Sequence, residues 1–128
     1  MVIDTSALVA WFEREPAAAR IAERLGQADE LSVSAVSLVE AGIVLEARRG
    51  EAAGRELDLF IHRLGVKIVA VDEEQAEIAR AAYRQFGKGR HTAALNFGDC
   101  FAYALAVSSG QPLLFVGEGF AKTDVAVA

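Results

Sequence analysis

Sulfur and imidazole are scarce in this chain: Cys100 is its one cysteine, and His62 and His91 are its two histidines, among 128 residues. A lone cysteine excludes an intrachain disulfide, and these three donors offer no zinc spacing. Long apolar runs are missing as well. The longest, Cys100 to Val107, is far too short to cross a bilayer. No basic residue precedes the first apolar stretch and Asp4 comes early, unlike a secretory signal. These absences lead us to expect a soluble, cytoplasmic protein with no membrane role. Positive charge is not in surplus either: 13 Lys and Arg face 18 Asp and Glu, for a net charge of −5. That balance argues against a dedicated DNA-binding module. It leaves room for a nuclease whose acids are offset by cations and a local basic patch. There is no P-loop, the glycines of GEGF lack a nucleotide-binding context, and Ser6, Ser34 and Ser37 lack a nucleophile elbow.

What is present suffices for a core. Hydrophobic residues make up 53% and charged residues 24%, with a mean hydropathy of +0.27. No repeat or Gly/Ser linker divides the chain, so a single domain over residues 1–128 is expected. The apolar excess suggests a surface for a partner or a second copy. Short strands are predicted at Met1–Asp4, Leu31–Val33, Val66–Val71, Pro112–Val116 and Val125–Val127. Helices are predicted from Ala7 to Glu13, Pro16 to Leu25, Ser34 to Arg49, Ala52 to Leu64, Glu73 to Phe86 and Asp99 to Ser109. Strands separated by helices imply an α/β fold with a mainly parallel, buried sheet. Sites in such folds form beyond the carboxyl ends of the strands.

Four carboxylates stand at the edges of apolar segments. Asp4 ends the first, Glu40 interrupts AVSLVEAGIVL, Asp99 opens DCFAYALAV, and Asp124 follows LLFV. Taken singly, Asp4 and Asp99 also fit helix N-caps, and Thr5 and Ser6 share that ambiguity. Glu40 is different: Val36, Val39, Ile43, Val44 and Ala47 share its helical face, which places the carboxylate in an apolar stripe expected to meet the core. Carboxylates are rarely buried unless paired or metal-bound. Together these acids suit Mg²⁺ or Mn²⁺, with some of them acting through water. Such ions activate water and stabilise the leaving oxygen in phosphodiester cleavage.

The segment from Arg80 to His91 supplies complementary charge. Arg80, Arg84, Lys88 and Arg90 occur without an intervening acid. Arg84, Lys88 and Arg90 are the candidates to hold an RNA backbone. Tyr83 and Phe86, which lie among them, are expected in the core, and GKGRH reads as a loop leading towards Asp99.

MVIDTSALVAW, the Glu40 helix, the block from GKGRH through LNFGDCFAYALA, and QPLLFVGEGFAKTDV together resemble a PIN-domain ribonuclease of the VapC toxin type, over essentially the full length. The resemblance implies an α/β/α sandwich with a central parallel sheet, and Mg²⁺- or Mn²⁺-dependent endonucleolytic cleavage of RNA. It also implies a homodimer and neutralisation by a cognate VapB-type antitoxin. Carried over by position, Asp4, Glu40 and Asp99 match the three main acids of the family, with Thr5 and Ser6 in support. Family members commonly carry a further acid before the phenylalanine of GEGF, where this chain has Gly119. That fourth role then falls to Glu118, to Asp124 or to no residue. Gly119 motivates an alternative reading, a catalytically weakened PIN-like module that binds RNA or antitoxin without efficient cleavage. A receiver-like phospho-accepting domain is disfavoured, since the final third lacks a suitably placed lysine, Lys122 being the one candidate. For the antitoxin, the helices Ala7–Phe12 and Val36–Leu45 are expected to form a groove for a partner helix, and an antitoxin arginine to enter the acidic pocket.

Overall fold

The structure, a computed structural model, describes residues 1–128. Four parallel strands, β1 (Val2–Ile3), β2 (Ser32–Ser34), β3 (Lys67–Val69) and β4 (Leu113–Leu114), form one sheet in the order β3-β2-β1-β4. The helices are α1 (Thr5–Phe12), α2 (Ala18–Gln27), α3 (Ala35–Arg49), α4 (Glu51–Arg63), α5 (Glu73–Phe86) and α6 (Phe97–Ser109), followed by a 3-10 turn at Phe120–Lys122. No helix is long and apolar enough to cross a membrane.

Successive strand residues point to opposite faces of the sheet, and two cores result. Val2 and Leu113 join a cluster with Ala79, Phe86, Leu105 and other side chains of α5 and α6. Ile3, Val33 and Leu114 join a second cluster with Leu8, Ile21, Leu45 and Leu57 from α1, α2, α3 and α4. The expected α/β/α sandwich is therefore present, with β1 and β4 buried on both sides.

The structure corrects several expectations. The β-branched run Val66–Val71 yields only Lys67–Val69, because β3 is an edge strand with Lys67 and Ile68 facing solvent. Val125–Val127 contributes a single bridge, Val127 to Leu113, rather than a strand. Helix α1 starts directly at Thr5, since Asp4 is its cap, and α6 starts at Phe97, before Asp99. Most consequential is the orientation of α3. Its buried residues are Ser37, Ala41 and Leu45, the first two small enough for close helix packing. Val39 and Ile43, on the face shared with Glu40, are 61% and 64% exposed. The apolar stripe faces outward, and Glu40 lies beside it at the rim of the sheet.

Candidate active site

Asp4 is the residue after β1 and only 2% exposed. Its N–H donates to the Leu114 carbonyl at 2.9 Å, so the ladder runs one residue beyond the strand. Its side chain caps α1: Oδ2 accepts from the Ser6 N–H at 2.9 Å and from Ser6 Oγ at 2.5 Å. Oδ1 is buried with no hydrogen-bond partner. Burial raises the Asp4 pKa from 3.8 to about 6, against the two Ser6 bonds, and the charges of Asp99 and Glu40 push it the same way as burial.

The neighbouring hydroxyls lock the surroundings. Ser6 Oγ also accepts from the Val116 N–H at 3.0 Å, which ties the segment after β4 to the Asp4 carboxylate. Thr5 Oγ1 donates to the Ser37 carbonyl at 3.1 Å and fixes the start of α1 against α3, one turn before Glu40.

Asp99 sits in a capping box at the start of α6. Its N–H donates to Asn96 Oδ1 and its Oδ2 accepts from the Asn96 N–H, both at 2.9 Å. Partial burial raises its pKa, the Asn96 N–H opposes the rise and the Glu40 charge adds to it. Asp4 and Asp99 thus each commit one oxygen to a helix cap and leave the other without an intramolecular bond. Glu40, in the second turn of α3, is half-buried, and its carboxylate lies against the backbone of α6. A Cβ at Gly98 would collide with both Glu40 oxygens, so the glycine is the cradle in which the carboxylate rests.

In this side-chain arrangement no three His, Cys, Asp or Glu side chains close to ion-binding distance. The donor chemistry still fits a hard divalent cation. An orphaned buried oxygen on Asp4, a second free oxygen on Asp99 and the cradled Glu40 are all oxygen donors. Positive charge would offset the burial, and the lesser repulsion, that raise Asp4 and Asp99.

The two candidates for a fourth acid are both at the surface. Glu118 is exposed, and the exposed Asp124 accepts from the Tyr103 hydroxyl at 2.6 Å. Neither contributes to the charge felt by Asp4 or Asp99. Position 119 is closed off: a Cβ there would stand 2.8 Å from the Ala93 carbonyl oxygen.

Arg84, Lys88 and Arg90 are all exposed, and Arg90 lies over the Tyr83 ring at 5.9 Å. Phe86 is in the core as expected, whereas Tyr83 is exposed. The loop between them and α6 is pinned by Lys88 N–H to the Leu95 carbonyl at 2.9 Å and Leu95 N–H to the Phe86 carbonyl at 3.0 Å. It delivers the chain to Asn96 and so to Asp99. An apolar groove lies among α1, α2 and α4, where Trp11, Phe12, Leu25, Leu59 and Phe60 line about 520 Å³. The residues gave no role to Asn96, to Gly98 or to the Ser37 carbonyl that holds Thr5. The Asn96-x-x-Asp99 spacing was a readable signal for the first, while nothing local marks the glycine as a cradle.

The sequence matches the PIN domain over residues 1–126. A protein of Mycolicibacterium smegmatis named Ribonuclease VapC is 57% identical over 126 residues, spanning 98% of each chain. Two solved structures share the fold. Mycobacterium tuberculosis VapC20, described as a Sarcin-Ricin loop cleaving toxin, superposes with a TM-score of 0.81 at 16% identity, covering 99% of this chain and 97% of that one. A toxin–antitoxin complex from Klebsiella pneumoniae gives 0.72 at 18% identity, covering 99% and 95%.

Proposed function

Because the chain belongs to the PIN-domain family, we propose that it is the ribonuclease toxin of a VapBC toxin–antitoxin pair, hydrolysing RNA phosphodiester bonds to inhibit growth. The observation that carries this reading is identity across almost the whole chain to a protein named a ribonuclease.

The chemistry we assign to the site is metal-assisted hydrolysis with Mg²⁺ or Mn²⁺. Asp4 and Asp99 would hold the ion through the oxygens left free by their caps, with Glu40 completing the set. A bound cation supplies Lewis-acid activation of water and neutralises charge at the leaving oxygen. Glu40, held by the Gly98 cradle, orients the attacking water and accepts its proton. Lys88, Arg84 and Arg90 hold the RNA backbone on the side reached through the Gly87–Leu95 loop. Thr5 and Ser6 keep α1, α3 and the segment after β4 in register around Asp4.

Two partners follow. The groove of α1, α2 and α4 receives an apolar helix of a VapB-type antitoxin, and the exposed stripe of Val39 and Ile43 on α3 supports a homodimer. The deciding experiment is cleavage of a fluorescent single-stranded RNA with Mg²⁺, Mn²⁺ or EDTA, beside the Asp4→Asn variant. Cleavage that needs the ion and is lost in the variant is expected. A folded parent that binds RNA but does not cut it under any of these conditions would leave the weakened, binding-only module suggested by Gly119.

A further inference from the structure

Phe97 is the most exposed large apolar residue of the protein, at 74%, and it stands two positions from Asp99. A solvent-facing phenylalanine forgoes the stabilisation that burial of its ring would bring. It meets Phe101, one turn further along α6, edge to face with centroids 4.9 Å apart. The two rings form one wall of a cavity of about 770 Å³ between α5 and α6, whose other wall carries Tyr83, Arg80, Arg84 and Lys88. No acid lines this cavity. None of its cations is in an ion pair, since the ion pairs of the protein all involve Arg49. In a protein of net charge −5, unpaired cations around an aromatic wall define an occupant that is flat and anionic.

We propose that this cavity takes an unpaired base of the RNA next to the cleavage site, stacked on Phe97, while Arg80, Arg84 and Lys88 hold the phosphates on either side of it. The inference rests on the ribonuclease reading and adds to it a site for one nucleotide beside the scissile phosphate. The path is short. Residues two apart on a helix point about 200° away from each other, so Asp99 and Phe97 flank the N-terminal end of α6 from opposite sides. A strand whose scissile phosphate lies at the acids crosses that end and reaches the cavity with a flanking nucleotide. Duplex RNA does not fit, because paired bases have no free face to offer. A second copy of the chain docked here about a two-fold axis would set its own cations against these.

The test uses a short single-stranded RNA carrying one 2-aminopurine, moved along the sequence, with binding measured in EDTA and cleavage measured separately with Mg²⁺ or Mn²⁺. One position of the probe is expected to be quenched on binding, Phe97→Ala to abolish the quenching and weaken binding roughly 10-fold, and Phe97→Trp to retain both. Annealing a complementary strand over that position is expected to weaken binding as much. Unquenched probes at every position, with Phe97→Ala binding like the parent, would overturn the proposal. So would conversion of a dimer to a monomer by Phe97→Ala with quenching unchanged, which would assign the surface to a second copy. Quenching without cleavage would leave the base pocket standing and remove the ribonuclease reading, and cleavage without quenching would do the reverse.

Discussion

The Glu40 carboxylate occupies the space that a side chain at position 98 would need. Gly98 is in the first turn of α6, Glu40 in the second turn of α3, and the lack of one methyl group lets the acid reach the neighbourhood of Asp4 and Asp99.

That relationship predicts an unusual variant. Gly98→Ala favours the helix by up to about 1 kcal/mol yet displaces Glu40. We expect a folded protein with an unchanged or raised Tm, cleaving RNA roughly 100-fold more slowly, the order of loss for a catalytic group moved by about 1 Å. Parallel melting curves and single-turnover cleavage check this, and parental cleavage would show that Glu40 does not depend on the cradle.

Asp4 predicts opposite effects on stability and activity. Its folded pKa of about 6 lies above the unfolded 3.8, so between these values the folded state binds more protons and stability falls as pH rises. The contribution is fully present below pH 3.8 and lost once the pH passes 6. In metal-free protein at neutral pH, Asp4→Asn should therefore be more stable than the parent by up to about 3 kcal/mol, with no such advantage below pH 3.8. Mg²⁺ or Mn²⁺ at 100 times its Kd should return about 2.7 kcal/mol to the parent and nothing to the variant. Denaturant titrations across pH, with and without the ion, test both halves. Equal ion stabilisation of parent and variant would remove Asp4 from the metal site.

Position 119 gives a third prediction. An acid there is the obvious way to supply a fourth carboxylate, but its Cβ would press on the Ala93 carbonyl, which is backbone and cannot swing aside. Gly119→Asp and Gly119→Ala should each lower stability by about 1–3 kcal/mol, and the acid should bring no gain in cleavage. A stable Gly119→Asp protein that inhibits growth more strongly than the parent would contradict this and show that the position had lost a working ligand.

The groove of α1, α2 and α4 gives a fourth. Leu59 lines it and is half-exposed, so Leu59→Glu leaves the core alone. Burying that charge under a partner helix should weaken antitoxin binding at least roughly 10-fold, with RNA cleavage at the parental rate. Isothermal titration against the antitoxin and a cleavage assay separate the two effects, and unaltered affinity would place the antitoxin elsewhere.

Much of this was legible in the residues. A carboxylate at the edge of an apolar run is a local signal, and it located Asp4, Glu40 and Asp99 on the right elements. Periodicity told which residues of α3 share a face but not which face meets the core. The structure packs the small Ser37 and Ala41 inward and leaves Val39 and Ile43 out. Propensity likewise overstated β3, because the run Val66–Val71 lies at an edge with a neighbour on one side only. Tyr83 and Phe86 are three apart on α5, close enough to suggest one fate, but only Phe86 reaches the core. The Gly98 cradle and the closed position 119 depend on contacts with Glu40 and Ala93, distant in sequence, and no local pattern encodes them.

The strand order has a consequence for how the protein is made. β1 is the first strand synthesised, and one of its two neighbours, β4, is the last. Until Leu113 and Leu114 leave the ribosome, Val2 and Ile3 lack half their ladder and the Asp4 N–H lacks its acceptor; Ser6 then still waits for Val116. The segment around Asp4 is therefore locked only once the chain through Val116 has been made. For a protein that cuts RNA, this order means that the acid site would still lack part of its frame while the residues before Leu113 emerge from the ribosome.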